Sequence, residues 1–85
     1  MMEIEKARAL NMEGLLIASR FTVEEQNLIC MYKKDSRLDT MKAMLISKNY
    51  IDDEEINRLI DETIYKLMRL KQREYDVAEF TYSDV

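Results

Sequence analysis

At 85 residues, with 47% hydrophobic and 35% charged side chains and a net charge of −4, the chain is one globular domain at most and not a disordered acidic tract. It has no histidine, one cysteine, one glycine and no proline. That inventory excludes an internal disulfide, a zinc site, a glycine-rich phosphate loop and tight β-hairpins, and it implies no cofactor.

In chain order, residues 1–19 read as an N-terminal extension, either an extra helix or a frayed end. Ile4, Ala7, Leu10 and Leu15 follow a rough helical period, but Gly14 interrupts it at about 1 kcal/mol relative to alanine. A single helical domain then fills residues 20–85. Thr22-Val23-Glu24-Glu25 is a capping box, in which hydroxyl and carboxylate satisfy each other's backbone N–H groups. The helix it opens is predicted to reach about Lys34. Its run Leu28-Ile29-Cys30-Met31-Tyr32 predicts the most buried helix.

Ser36-Arg37-Leu38-Asp39 repeats the capping pattern with Asp in place of Glu. Leu38, Met41 and Leu45, flanked by Met44 and Ile46, predict the core stripe of a helix ending near Lys48, with Asn49 as its cap. The acidic turn Asp52-Asp53-Glu54-Glu55 then opens the strongest helix, over about 53–71. Ile56, Leu59, Ile60, Ile64, Leu67 and Leu70 form its apolar stripe, with Arg58, Asp61, Glu62, Tyr65 and Arg69 opposite. Glu54–Arg58 and Glu62–Lys66 have the spacing of i,i+4 ion pairs. Residues 72–85 are predicted to add a short helical turn that lays Tyr75 and Phe80 on the rest. The fold expected is therefore all-α: a small bundle of three main helices.

The apolar runs Leu15–Ala18 and Leu28–Tyr32 are far short of a membrane span, and no secretory leader is evident. The expected location is cytoplasmic. The chemistry-bearing candidates each have a plain alternative. Cys30 reads as a reactive thiol or, more commonly, a small buried hydrophobe. The acids at 52–55 read as a cation site or as ordinary partners of a helix N-terminus, and they lack calcium-loop spacing. The same four carboxylates oppose a helix-turn-helix reading of the last two long helices. Lys33, Lys34, Arg37, Lys42 and Lys48 are either a DNA-facing basic patch or a solvated face. Tyr65, on the polar side of the last long helix, is a candidate contact residue. Seven methionines serve as core filler or as an adaptable partner surface. Without histidine or a paired cysteine, acid–base and nucleophilic catalysis lack their usual side chains, and the chain reads as a non-enzyme.

The segment Arg20-Phe21-Thr22-Val23-Glu24-Glu25, followed by Asn27-Leu28-Ile29-Cys30-Met31-Tyr32, resembles the transposon-transfer-assisting protein family of bacterial conjugative transposons. The resemblance continues through Ser36-Arg37, Thr40, Ile60–Leu70 and Tyr75–Phe80, covering about residues 20–82. It implies a helical protein of a mobile element that assists its transfer and is not an enzyme. Residues 1–19 are additional to the family pattern, and the tail lacks the proline common there. The function expected is an accessory binding protein that works through protein contacts within the transfer machinery; the alternative is a DNA-binding accessory using residues 33–48. Arg37 leads the surface candidates, because neither capping nor packing asks for a cation in a helix's first turn; an ion pair locking the helices is its other reading.

Overall fold

The computed structural model describes residues 12–83. Five α-helices follow one another among them, with no strand: α1 over residues 12–18, α2 Val23–Tyr32, α3 Arg37–Ser47, α4 Glu54–Met68 and α5 Gln72–Val77. A single 3₁₀ turn, Lys48–Tyr50, extends α3. The part of the N-terminal extension within residues 12–18 is helical; residues 1–11 lie outside the described residues.

The two capping boxes expected at Thr22 and Ser36 place the helix starts, whereas α3 is capped at its end by Lys48 and not by Asn49. Thr22 and Glu25 close a full capping box on α2. Ser36 accepts from the Asp39 N–H at 3.0 Å. The Asp53 carboxylate accepts from the Glu55 and Ile56 N–H groups. Each accepts from N–H donors left open by a helix start, a contribution of about 1 kcal/mol. α2 ends at Tyr32, before Lys33 and Lys34, so those bases do not face its last turn.

Ile17, Phe21, Leu28, Ile29, Met44, Ile60, Leu67, Leu70, Tyr75 and Ala78 make the core. α4 contributes as its stripe predicts, apart from Ile56, which is exposed. Two predicted burials fail. In α2, Leu28 and Ile29 are buried, but Met31 faces solvent, because α2 is covered on one side only. In α3 the face is rotated: Thr40 and Met44 are fully buried, whereas Leu38, Leu45 and Ile46 are 53%, 56% and 60% exposed.

The rotation of α3 has a polar cause. The Thr40 hydroxyl accepts from the Lys34 N–H at 2.8 Å and lies 2.6 Å from the Tyr75 hydroxyl, which donates to the Lys34 carbonyl at 2.8 Å. Since Tyr75 gives its one proton to Lys34, Thr40 donates to Tyr75, and the ring of three groups closes. A threonine so satisfied is buried at little cost, and α3 turns to bring it inward. Burial pushes the Tyr75 phenol above its ordinary pKa, against the opposing hydrogen bonds from Thr40 and Lys34. A raised pKa means the contribution is complete below the unfolded phenol's value near 10 and is lost as pH rises through the folded value. Titration followed by tyrosinate absorbance is expected to show one of the five tyrosines ionising late, together with unfolding. Tyr75→Phe should remove that late phase and cost about 1–2 kcal/mol.

The tail straps the bundle. α5 places Tyr75 in the core, and Phe80 packs edge-on against Phe21 with ring centroids 5.2 Å apart. Beyond it the Asn27 side-chain amide exchanges two hydrogen bonds with the Ser83 backbone, at 2.8 and 2.7 Å. The Glu79 N–H donates to the Gly14 carbonyl at 3.0 Å, so the tail also crosses α1.

Candidate functional site

Two surfaces combine exposed apolar and charged groups with a groove; further exposed apolar side chains, Met12, Leu15 and Leu16, lie on α1. The first is the outer face of α3. At 100° per residue, Leu38, Lys42, Leu45 and Ile46 fall within an arc of about 100°, opposite Thr40 and Met44. Lys42, Leu45, Ile46 and Asn49 line a shallow groove of about 390 Å³ there. Lys42 forms no ion pair among the described residues. The face is thus an apolar ridge around one unneutralised ammonium group.

The second is a groove of about 550 Å³ between the start of α2 and the outer side of α4, lined by Thr22, Glu25, Asp61, Glu62, Tyr65, Lys66 and Arg69. Its base is an ion pair between a buried carboxylate and a half-exposed ammonium group. The Glu25 side chain is only 3% exposed; one oxygen accepts from the Thr22 N–H at 2.7 Å and from Lys66 Nζ at 2.7 Å. Lys66 also donates to the Arg20 carbonyl at 3.2 Å and lies over the Phe21 ring. Lys66 is therefore taken up by Glu25 and not by Glu62, and no Glu54–Arg58 pair forms among the described residues. On the wall, the Arg69 guanidinium lies 5.8 Å from the Tyr65 ring and donates to its hydroxyl at 3.3 Å.

The candidates read from sequence separate. Lys33 lies over the Tyr75 and Phe80 rings, at 5.3 and 5.8 Å from their centroids. Lys34 is exposed, its backbone held in the Thr40–Tyr75 ring. Arg37 turns inward: it donates to the Leu67 carbonyl at 3.2 Å and touches the Met41 sulfur, while its backbone N–H is held by Gln72 at 2.9 Å. A cation on the last carbonyls of α4 meets the negative end of that helix dipole, which explains its presence where α3 alone disfavours it. It locks helices through a carbonyl, not through an ion pair. Lys48 is paired with Asp61. Lys42 lies about 140° round α3 from Arg37. The five bases of residues 33–48 do not make one free patch. Tyr65 does line a groove.

Sequence reasoning missed Leu38, Leu45 and Ile46 as surface groups, having placed them in the core, and missed Glu25 and Arg69 as groove residues. The box at Thr22 revealed the capping half of Glu25's role; nothing local signalled the lysine 41 positions on. Cys30 is half-buried, and burial pushes its thiol up, with Lys33 opposing more weakly. That favours the protonated, unreactive form.

The fold and its outer surfaces define a small all-α bundle with two exposed faces, one apolar on α3 and one grooved on α4. A family model described as "Putative transposon-transfer assisting protein" matches residues 21–81, and the chain belongs to that family. No curated protein and no solved structure matches it. No helix among the described residues is long and apolar enough to cross a membrane.

Proposed function

We propose that this chain is a non-catalytic accessory protein that assists transfer of a conjugative transposon by binding a protein of the transfer machinery through the outer face of α3. The observation that carries the reading is the exposure of Leu38, Leu45 and Ile46 on one side of a single helix. Apolar side chains grouped in this way serve protein contacts, whereas nucleic acid is held by clustered cations. The partner that fits is an amphipathic helix with a carboxylate set opposite Lys42. Dispersal of the bases at 33–48 and the net charge of −4 weigh against the DNA reading. Lack of histidine and the burial that pushes the Cys30 thiol up support a role without catalysis.

Leu45→Asp/Ile46→Asp changes only exposed side chains, so its stability should stay within about 0.5 kcal/mol of wild type for each site. The expected result is that one of the element's own transfer proteins, mixed in purified form with this chain, is retained by wild type and not by the variant. Transfer frequency in mating assays should fall in parallel. Equal retention by both would remove the α3 face from the proposal. Labelled duplex and single-stranded DNA are expected to show no salt-sensitive anisotropy change. Micromolar binding that weakens steeply with salt, and that is lost in Lys33→Ala/Lys34→Ala, would favour the DNA reading instead.

A further inference from the structure

The outer face of α4 has a polarity that one copy of the chain leaves unused. Along α4 the acids Glu54, Glu55, Asp61 and Glu62 come before the bases Lys66 and, at the C-cap, Arg69, with Arg58 the exception. The helix dipole accounts for the acids of the first turn and for Arg69 at the C-cap, but not for Glu62, which lies on the same outward face two helical turns before Arg69. These two have no ion-pair partner among the described residues. They cannot pair with each other in one copy, because seven residues separate them by about 10 Å along the helix. Between them stands Tyr65, with Met68 beside it; both are about three-fifths exposed.

We propose that this face seats α4 of a second copy of the chain, antiparallel, about a two-fold axis passing close to Tyr65. In that arrangement Glu62 of each copy faces Arg69 of the other, so one contact occurs twice, as a two-fold interface requires. The two Tyr65 rings meet at the centre, and the groove of about 550 Å³ beside α4 receives the side chains of the second copy. A parallel arrangement would oppose acid to acid and base to base. The surface lies on a different helix from the α3 face, so the bundle can pair with itself while that face is engaged. Two helical turns a side make a small contact beside the roughly 800 Å² per partner of a stable complex, so the dimer forms in a concentration-dependent way and weakens with salt.

The test is sedimentation velocity over rising concentration and two salt levels. Wild type is expected to move from the mass of one 10.2 kDa chain toward twice that mass at high concentration, less so in high salt. Glu62→Arg alone and Arg69→Glu alone each oppose like charges twice, and each should weaken self-association at least about tenfold. The two single variants mixed in equal amounts should associate, because every facing pair is then opposite in sign. Glu62→Arg/Arg69→Glu in one chain should also recover self-association. Both residues are exposed, so circular dichroism should stay unchanged and separate a lost contact from a lost fold. A wild type that stays monomeric at every concentration overturns the proposal. So does a dimer insensitive to the single reversals, or a mixture and a double variant no better than the singles. Failure here leaves partner capture by α3 untouched, and failure of that capture leaves this measurement untouched.

Discussion

Gly14→Ala is expected to lower the unfolding free energy by about 3 kcal/mol, the upper part of the range for overpacking. The sign is what makes the experiment informative. In an isolated helix the same change is favourable by about 1 kcal/mol, since alanine is the better helix former. Here Gly14 is buried where the tail crosses α1. A Cβ added at this position would lie 2.0 Å from the Val77 carbonyl oxygen and 2.9 Å from Cγ of Glu79. The first of these atoms is backbone and cannot swing away. Either α1 lifts off or the tail does, and the Glu79-to-Gly14 hydrogen bond goes with it. Thermal unfolding measures the loss, and faster amide exchange at Glu79 localises it. A variant as stable as wild type, or more stable, would show that the crossing is not tight.

Removal of the Lys66 ammonium is the second large effect. In Lys66→Met the Glu25 carboxylate stays buried with its backbone donor but without a counter-charge, and, discounted for the partial exposure of Lys66, a loss of about 2 kcal/mol is expected. The contribution is not the Coulomb energy of the pair; it is the cost of leaving one charge stranded. The double variant Glu25→Gln/Lys66→Met should therefore recover at least about 1 kcal/mol of that loss. Denaturant melts of wild type, the two single variants and the double variant close the cycle. If the double variant loses the full sum of the singles, Glu25 and Lys66 act independently.

Both effects depend on contacts between distant parts of the chain, and that separates what the sequence disclosed from what it concealed. Thr22 and Ser36 were legible as caps, because capping is settled within three or four residues, and residues 52–55 were legible as an acidic helix start. Ile60, Leu67 and Leu70 were legible because α4 is long and its two sides differ strongly in polarity. α3 was misread because the rule used was apolar inward. It holds a threonine inward instead, through a hydroxyl that arrives 35 residues later on Tyr75. Leu38, Leu45 and Ile46 were then left outside, where the candidate surface lies. Arg37 looked surplus at its own helix start and proved to end another helix, 30 residues away. Gly14 looked like a flaw in a weak helix; the residues that demand it lie more than sixty positions further on. Local grammar thus gave the helices and their starts, while the choice of inward face came from partners that no window of sequence contains.

The crossing of tail and first helix also sets how the molecule can come apart. Glu13 and Gly14 are tied to Arg73 and Glu79, and Asn27 is tied to Ser83. Such contacts close loops of more than fifty residues, so each carries a larger closure entropy than the local helix contacts and is favoured when the others are already made. α1, at one flank, then has little independent fraying of its own: each flank's local stability contains the other's. By reciprocal linkage, a protease that trims the tail should expose α1 to digestion, and trimming α1 should loosen the tail by the same free energy.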